Sequence, residues 1–220
     1  MFGNHKFVMI VFLVSFYISR IFNTEMEKQN FNIIRKPFYF LRHGETDLNK
    51  QHKHQGTLDI EGTELNEVGI HQAKQAQLIL DRHEIRSVYS SPLKRTQQTS
   101  KIIAENRNCS IYFVDDLKDR YKGKAEGQPY KNFPLRHTYF PLNDQEPFGA
   151  ESSRKFFNRV INSLNQILET SDFNLIVAHT PVLTCICYHL GLEMTDQMKN
   201  NCQPILFKPL DDGWEVILLS

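Results

Sequence analysis

A chain of 220 residues, 40% hydrophobic and 23% charged, carries enough apolar surface for one globular domain with a sizeable core. Its 26 basic and 25 acidic residues leave a formal net charge of +1, which excludes a global field for nucleic acid or an anionic membrane. Any anion site must therefore be local. The four cysteines, Cys109, Cys185, Cys187 and Cys202, lack the paired spacing of a structural zinc site, so free, buried thiols are expected.

Residues 1–25 form an apolar extension. FVMIVFLVSFYIS, Phe7 to Ser19, runs between Lys6 and Arg20. It is short for a spanning helix and suits the apolar region of a signal peptide, although no small-x-small cleavage site follows. Three readings stand. The segment is an export signal or uncleaved anchor, which places the protein outside the cytoplasm or on a membrane. It is a helix packed on the domain, against which speaks the lack of a polar face. Or translation starts at Met26, and the protein is cytoplasmic. A membrane enters only through this segment.

From Lys36 to the end, short apolar runs alternate with helical periods. Pro37 to Leu41 reads as a strand, and residues 44 to 66, rich in Gly, Asp, Asn, Gln and Thr, as a long loop. Asn66 caps a helix to about Arg82, with Ile70, Ala73, Leu78 and Ile79 among its apolar positions. Ser87 to Ser90 is a strand, Pro92 opens a helix to about Asn106, and Ile111 to Val114 is a third strand. Residues 115 to 150 have no period and read as an irregular, lid-like segment.

A helix follows from Ser152 to Glu169, with a core stripe from Phe157 to Leu168 at three and four spacing. Phe173 to Ala178 is a strand and Pro181 to Leu190 a helix. Ile205 to Phe207 and Trp214 to Leu219 flank the hairpin signal Asp212-Gly213. This alternation predicts an α/β fold, a three-layer αβα sandwich on a mostly parallel sheet.

In such folds ligands bind beyond the carboxyl ends of the strands. Arg42 and His43 follow the first strand, Arg95 opens the helix after the second, and His179 follows the fourth. If those strands are neighbours, two arginines and two histidines converge. Such a cluster is stable around an anion, and bidentate arginines suit phosphate or carboxylate.

FLRHGETDLN, SSPLKRTQQT and LIVAHT, in that order, resemble the histidine phosphatase superfamily, also called phosphoglycerate mutase-like. The resemblance covers residues 36–220 and implies that fold for a catalytic domain. It implies His43 as a nucleophile that becomes phosphorylated, with Arg42, Arg95 and His179 around the phosphate; the two arginines neutralise the non-bridging oxygens, and a protonated His179 could do the same. Asn49, Gln55 and Gly56 match the N-x5-QG pattern of further phosphate contacts, and Thr180 stands where glycine commonly follows the histidine. Lys53 stands where many members have arginine. Asp119, in LKDRYKG, occupies the place of the family's general-acid glutamate, with Glu126 as the other candidate. DIEGTELN, residues 59–66, is a few residues longer than the corresponding loop of relatives.

The implied activity is a metal-independent phosphomonoester hydrolase, a histidine acid-type phosphatase needing no cofactor and acting on a small phosphorylated metabolite. Two alternatives stand beside it. One is a cofactor-dependent mutase-type phosphotransferase, and the other a phosphate-binding pseudophosphatase. Specificity is expected in residues 115–150, from Arg120, Tyr121, Lys122, Lys124, Tyr130 and Arg136. His52, His54 and His71 read as solvated, and their spacing with His43 matches no metal geometry.

Overall fold

A computed structural model describes residues 33–133 and 142–220. The apolar extension and Arg136 lie outside the described residues. The strands are β1 (Phe38–Arg42), β2 (Ser87–Ser90), β3 (Ser110–Phe113), β4 (Asn174–Ala178), β5 (Pro204–Leu210) and β6 (Gly213–Leu218). The helices are α1 (Asp47–Lys50), α2 (Glu67–Leu80), α3 (Lys94–Ala104), α4 (Ser153–Thr170) and α5 (Thr180–His189).

One sheet runs in the order β3-β2-β4-β1-β5-β6. The first four of these strands are parallel, and the β5–β6 hairpin pairs antiparallel with β1. β1 and β4 lie in the centre, which is why FYFL and LIVA are continuously apolar rather than alternating. Tyr39, Leu41, Leu175 and Val177 face a core with Ala73, Ala76 and Leu80 of α2 and Ile103 of α3. Alternation sends Phe38, Phe40 and Ile176 to the opposite face, where they too are fully buried.

The register decides where chemistry can occur. Arg42 pairs with Ala178, and Ser90 with Val177. The carboxyl ends of β1, β4 and β2 therefore finish level, and the residues following them meet.

Two local readings are corrected. Residues 44–66 are not all loop, because Thr46 and Asn49 form a capping box on the single-turn α1. Helix α2 buries Gly69, Ala73, Ala76, Gln77 and Leu80, while Ile70 and Leu78 are exposed. Its face is set by small residues that let it approach closely, not by its largest apolar side chains. In the segment after β3 the described residues are irregular as expected, with single 3-10 turns at Asp115–Leu117, Gly123–Ala125 and Pro147–Gly149. Cys185, Cys187 and Cys202 are buried and all four cysteines are free. Among the described residues no helix is long and apolar enough to cross a membrane.

Candidate active site

The backbone at the end of β1 is held on several sides. The His43 amide donates to Ala178 O at 3.1 Å, and the Cys202 amide to Arg42 O at 3.0 Å. Asn201 Nδ2 donates to His43 O at 2.8 Å. The His43 ring then turns back so that Nδ1 lies 2.7 Å from Gly44 O. A carbonyl only accepts, so Nδ1 carries the hydrogen and Nε2 keeps its lone pair. Gly44 is required here, since a Cβ would meet Gly69 O at 2.4 Å. Glu45 accepts from the Asn66 amide, and its own N–H donates to Gln72 Oε1, so it braces the turn.

Arg95 enters from the first turn of α3 and is completely buried. Its guanidinium donates to Gly56 O at 2.8 Å and Leu58 O at 3.2 Å, and one nitrogen lies 3.8 Å from Asp119 Oδ2. Arg42 donates to Lys199 O. His179 caps α5, with Nε2 hydrogen-bonded to Ser91 Oγ at 2.9 Å. The rings of His43 and His179 are 5.2 Å apart, centre to centre. The predicted convergence of Arg42, His43, Arg95 and His179 is therefore present. Arg42 Nε, Arg95 Nε and His179 Nδ1 are buried without a hydrogen-bond partner among the described residues, so each has bonding capacity for a ligand.

Electrostatics follow from this crowding. Burial, then the charges of Arg95 and Arg42, holds the His43 imidazole well below its usual 6.5. Burial and Arg95 do the same to His179. Both shifts favour the neutral imidazole while the site holds no anion. Arg95 itself is pushed down to about 10, chiefly by burial, with Asp119 opposing the shift. Mutual repulsion of buried cations is what an arriving anion would relieve.

The other predicted residues are placed as follows. Asn49 Oδ1 accepts from the Thr46 amide and hydroxyl, and Gln55 Oε1 accepts from the Thr46 hydroxyl at 3.0 Å. Gly56 supplies its carbonyl to Arg95 and has φ +55, and a Cβ there would lie 2.1 Å from Glu126 Oε1. Thr180 is the half-buried first residue of α5. Asp119 is buried, accepts from the Arg120 amide at 2.7 Å and lies near Arg95 and Lys122. Glu126 Oε1 instead accepts from the Thr57 amide and hydroxyl and the Lys122 amide, tying two segments together.

Of the expected specificity residues, Arg120 is turned into an ion pair with Glu146 at 3.2 Å, with its Nε on Glu151 O. The Tyr130 phenol is near Arg42, Asp119 and Asn49, and its ring packs against His54 at 4.6 Å. His54 is thus not solvated as expected. It is buried and bonded to Phe133 O at 2.8 Å. Ser91 lies within SSPLKRTQQT, but its bond to His179 has no signal in the sequence, and neither Asn201 nor the approach of Lys122 to Asp119 has one.

Residues 38–220 match the family described as the histidine phosphatase superfamily, branch 1. The chain belongs to that superfamily. An agropine synthesis reductase of Rhizobium rhizogenes is 36% identical over 188 residues, 81% of this chain and 41% of the relative. A metal-independent phosphoserine phosphatase of Arabidopsis thaliana is 34% identical over 157 residues, 66% of this chain and 65% of the relative. A putative α-ribazole-5′-P phosphatase from Escherichia coli has the same fold, with a TM-score of 0.70 at 20% identity over 85% of this chain and 97% of that one. The chain spans about half the length of several curated relatives in this superfamily. Branch 1 of the histidine phosphatases is the broad assignment, and it does not carry the narrower acid-type class.

Proposed function

We propose that the domain from residue 36 to 220 is a metal-independent phosphomonoester hydrolase working through a phosphohistidine on His43. The observation that carries this reading is the His43 Nδ1 to Gly44 O bond at 2.7 Å beside two arginines and a second histidine. Binding alone needs cations. It does not need an imidazole held as a neutral tautomer with its far nitrogen unprotonated.

In this reading Arg42 and Arg95 take the non-bridging oxygens, and His179 lies beside them as a neutral hydrogen-bonding ring. His43 Nε2 attacks phosphorus in line, and the bond from phosphorus to the ester oxygen breaks. Asp119 gives its proton to the leaving alkoxide. Water then attacks the phosphohistidine, Asp119 takes up a proton, and inorganic phosphate leaves with His43 neutral again. Asp119 suits the acid role better than Glu126, whose Oε1 already accepts three hydrogen bonds. Asn49 and Gln55 support the pocket through their bonds with Thr46, Gly56 through its carbonyl, which accepts from Arg95, and Thr180 opens α5 directly after His179. The lowered pKa of His43 keeps the nucleophile neutral into acid solution, which is the support for an acid-type profile.

The test is hydrolysis of p-nitrophenyl phosphate by the full chain with EDTA present. Turnover is expected to persist in EDTA and to disappear in His43→Ala. Turnover equal in the variant, or abolished by EDTA, overturns the reading. Binding of inorganic phosphate by a folded parent without turnover moves the assignment to a pseudophosphatase.

A further inference from the structure

Lys122 stands three residues after Asp119, on the irregular segment beside the site. Its Nζ lies 3.7 Å from Asp119 Oδ2, and Arg95 lies 3.8 Å from that same oxygen. Its backbone amide is fixed by Glu126 Oε1 at 3.2 Å. The side chain is only 14% exposed, so its charge is poorly screened by water. Its charge is felt at both His43 and His179. Among the described residues, Asp119 is its ion-pair partner.

The consequence rests on the phosphatase reading. A phosphate monoester brings two negative charges, which balance Arg42 and Arg95. Asp119 must carry a proton when it serves the leaving oxygen, and a neutral carboxyl no longer balances Lys122. Lys122 then lacks its ion-pair partner among the described residues, next to the group that must reach the leaving oxygen. A neighbouring negative charge on the alcohol portion of the substrate would complete the balance.

We propose that Lys122 is a specificity-determining residue that reads an anionic group on the leaving alcohol, selecting phosphate esters with a carboxylate close to the ester oxygen. Arg120, its neighbour in sequence, does not compete for that role because Glu146 already pairs with it.

Three esters of similar size separate charge from shape: phosphoglycolate, 2-hydroxyethyl phosphate and phosphoethanolamine, which carry a negative, neutral and positive tail. In the full-length parent, kcat/KM is expected to favour phosphoglycolate over the neutral ester by about tenfold or more. Lys122→Met should collapse that ratio towards one. Lys122→Glu should shift preference to phosphoethanolamine. The preference is read as a ratio of kcat/KM values within each protein, so a change in overall rate in either variant leaves the comparison intact. Ratios unchanged in both variants, or a parent that hydrolyses p-nitrophenyl phosphate with no preference among the three, overturn the proposal. A parent without His43-dependent turnover of p-nitrophenyl phosphate defeats the phosphatase reading first, and this inference with it.

Discussion

Gly69 of α2 presses against Glu45 so closely that a Cβ would lie 2.1 Å from the Glu45 carbonyl oxygen. The helix therefore sets the position of the turn on which His43 is oriented. Gly69→Ala should force backbone apart, because backbone cannot move aside as a flexible side chain can. The expected cost is about 1–3 kcal/mol, seen as a lower urea midpoint, with a fall in kcat that exceeds any rise in KM.

Arg95 is completely buried and holds the carbonyls of Gly56 and Leu58. Arg95→Met should leave those acceptors and Asp119 without their cation, lowering stability by about 3–5 kcal/mol. Arg95→Lys should keep the charge and lose the fork, so that stability is partly restored. Inorganic phosphate should then inhibit about tenfold or more weakly than in the parent. Thermal unfolding and phosphate inhibition constants check the two effects separately.

Asp119→Asn separates leaving groups. Hydrolysis of p-nitrophenyl phosphate should change by less than about threefold, while esters of simple alcohols should lose about a hundredfold in kcat, the usual worth of a general acid. Equal losses on both substrate types would assign Asp119 a supporting role only. Glu126→Gln should show no such dependence on the leaving group.

His43 and His179 have their pKa values lowered by folding, chiefly through burial. The unfolded chain therefore binds more protons than the native one once pH falls below the ordinary value of 6.5. Stability should be fully present above that pH and decline beneath it, by up to about 1.4 kcal/mol per pH unit for each histidine. Urea unfolding between pH 8 and pH 5 should show this slope. A His43→Gln, His179→Gln double variant should flatten it.

Much of this was readable from local pattern. FYFLR and NLIVA are buried on both faces, and a strand with no polar side announces itself as central. The convergence of Arg42, Arg95 and His179 followed from parallel strands ending level. What was hidden depends on contacts distant in sequence. Ile70 and Leu78 look like core positions, yet Gly69 must meet Glu45, and that contact rotates α2 so that they face solvent. His54 looks solvated among polar residues, but Tyr130 and Phe133, far along the chain, enclose it. Arg120 looks available until Glu146 reaches it. The α1 turn was missed because four helical residues give no period to read, although its cap residues were present.

The position of β1 in the sheet has a consequence for synthesis. Phe38 pairs with Asn174 on one side and Phe207 on the other, so both neighbours of the first strand are translated long after it. Until then FYFL has neither ladder partner, and a nascent chain on the ribosome carries an apolar segment open to wrong pairing. His43 gains its backbone clamp from Asn201 only at the same late stage. Competence for chemistry should therefore appear all at once, when the chain through β5 has emerged, rather than growing with chain length.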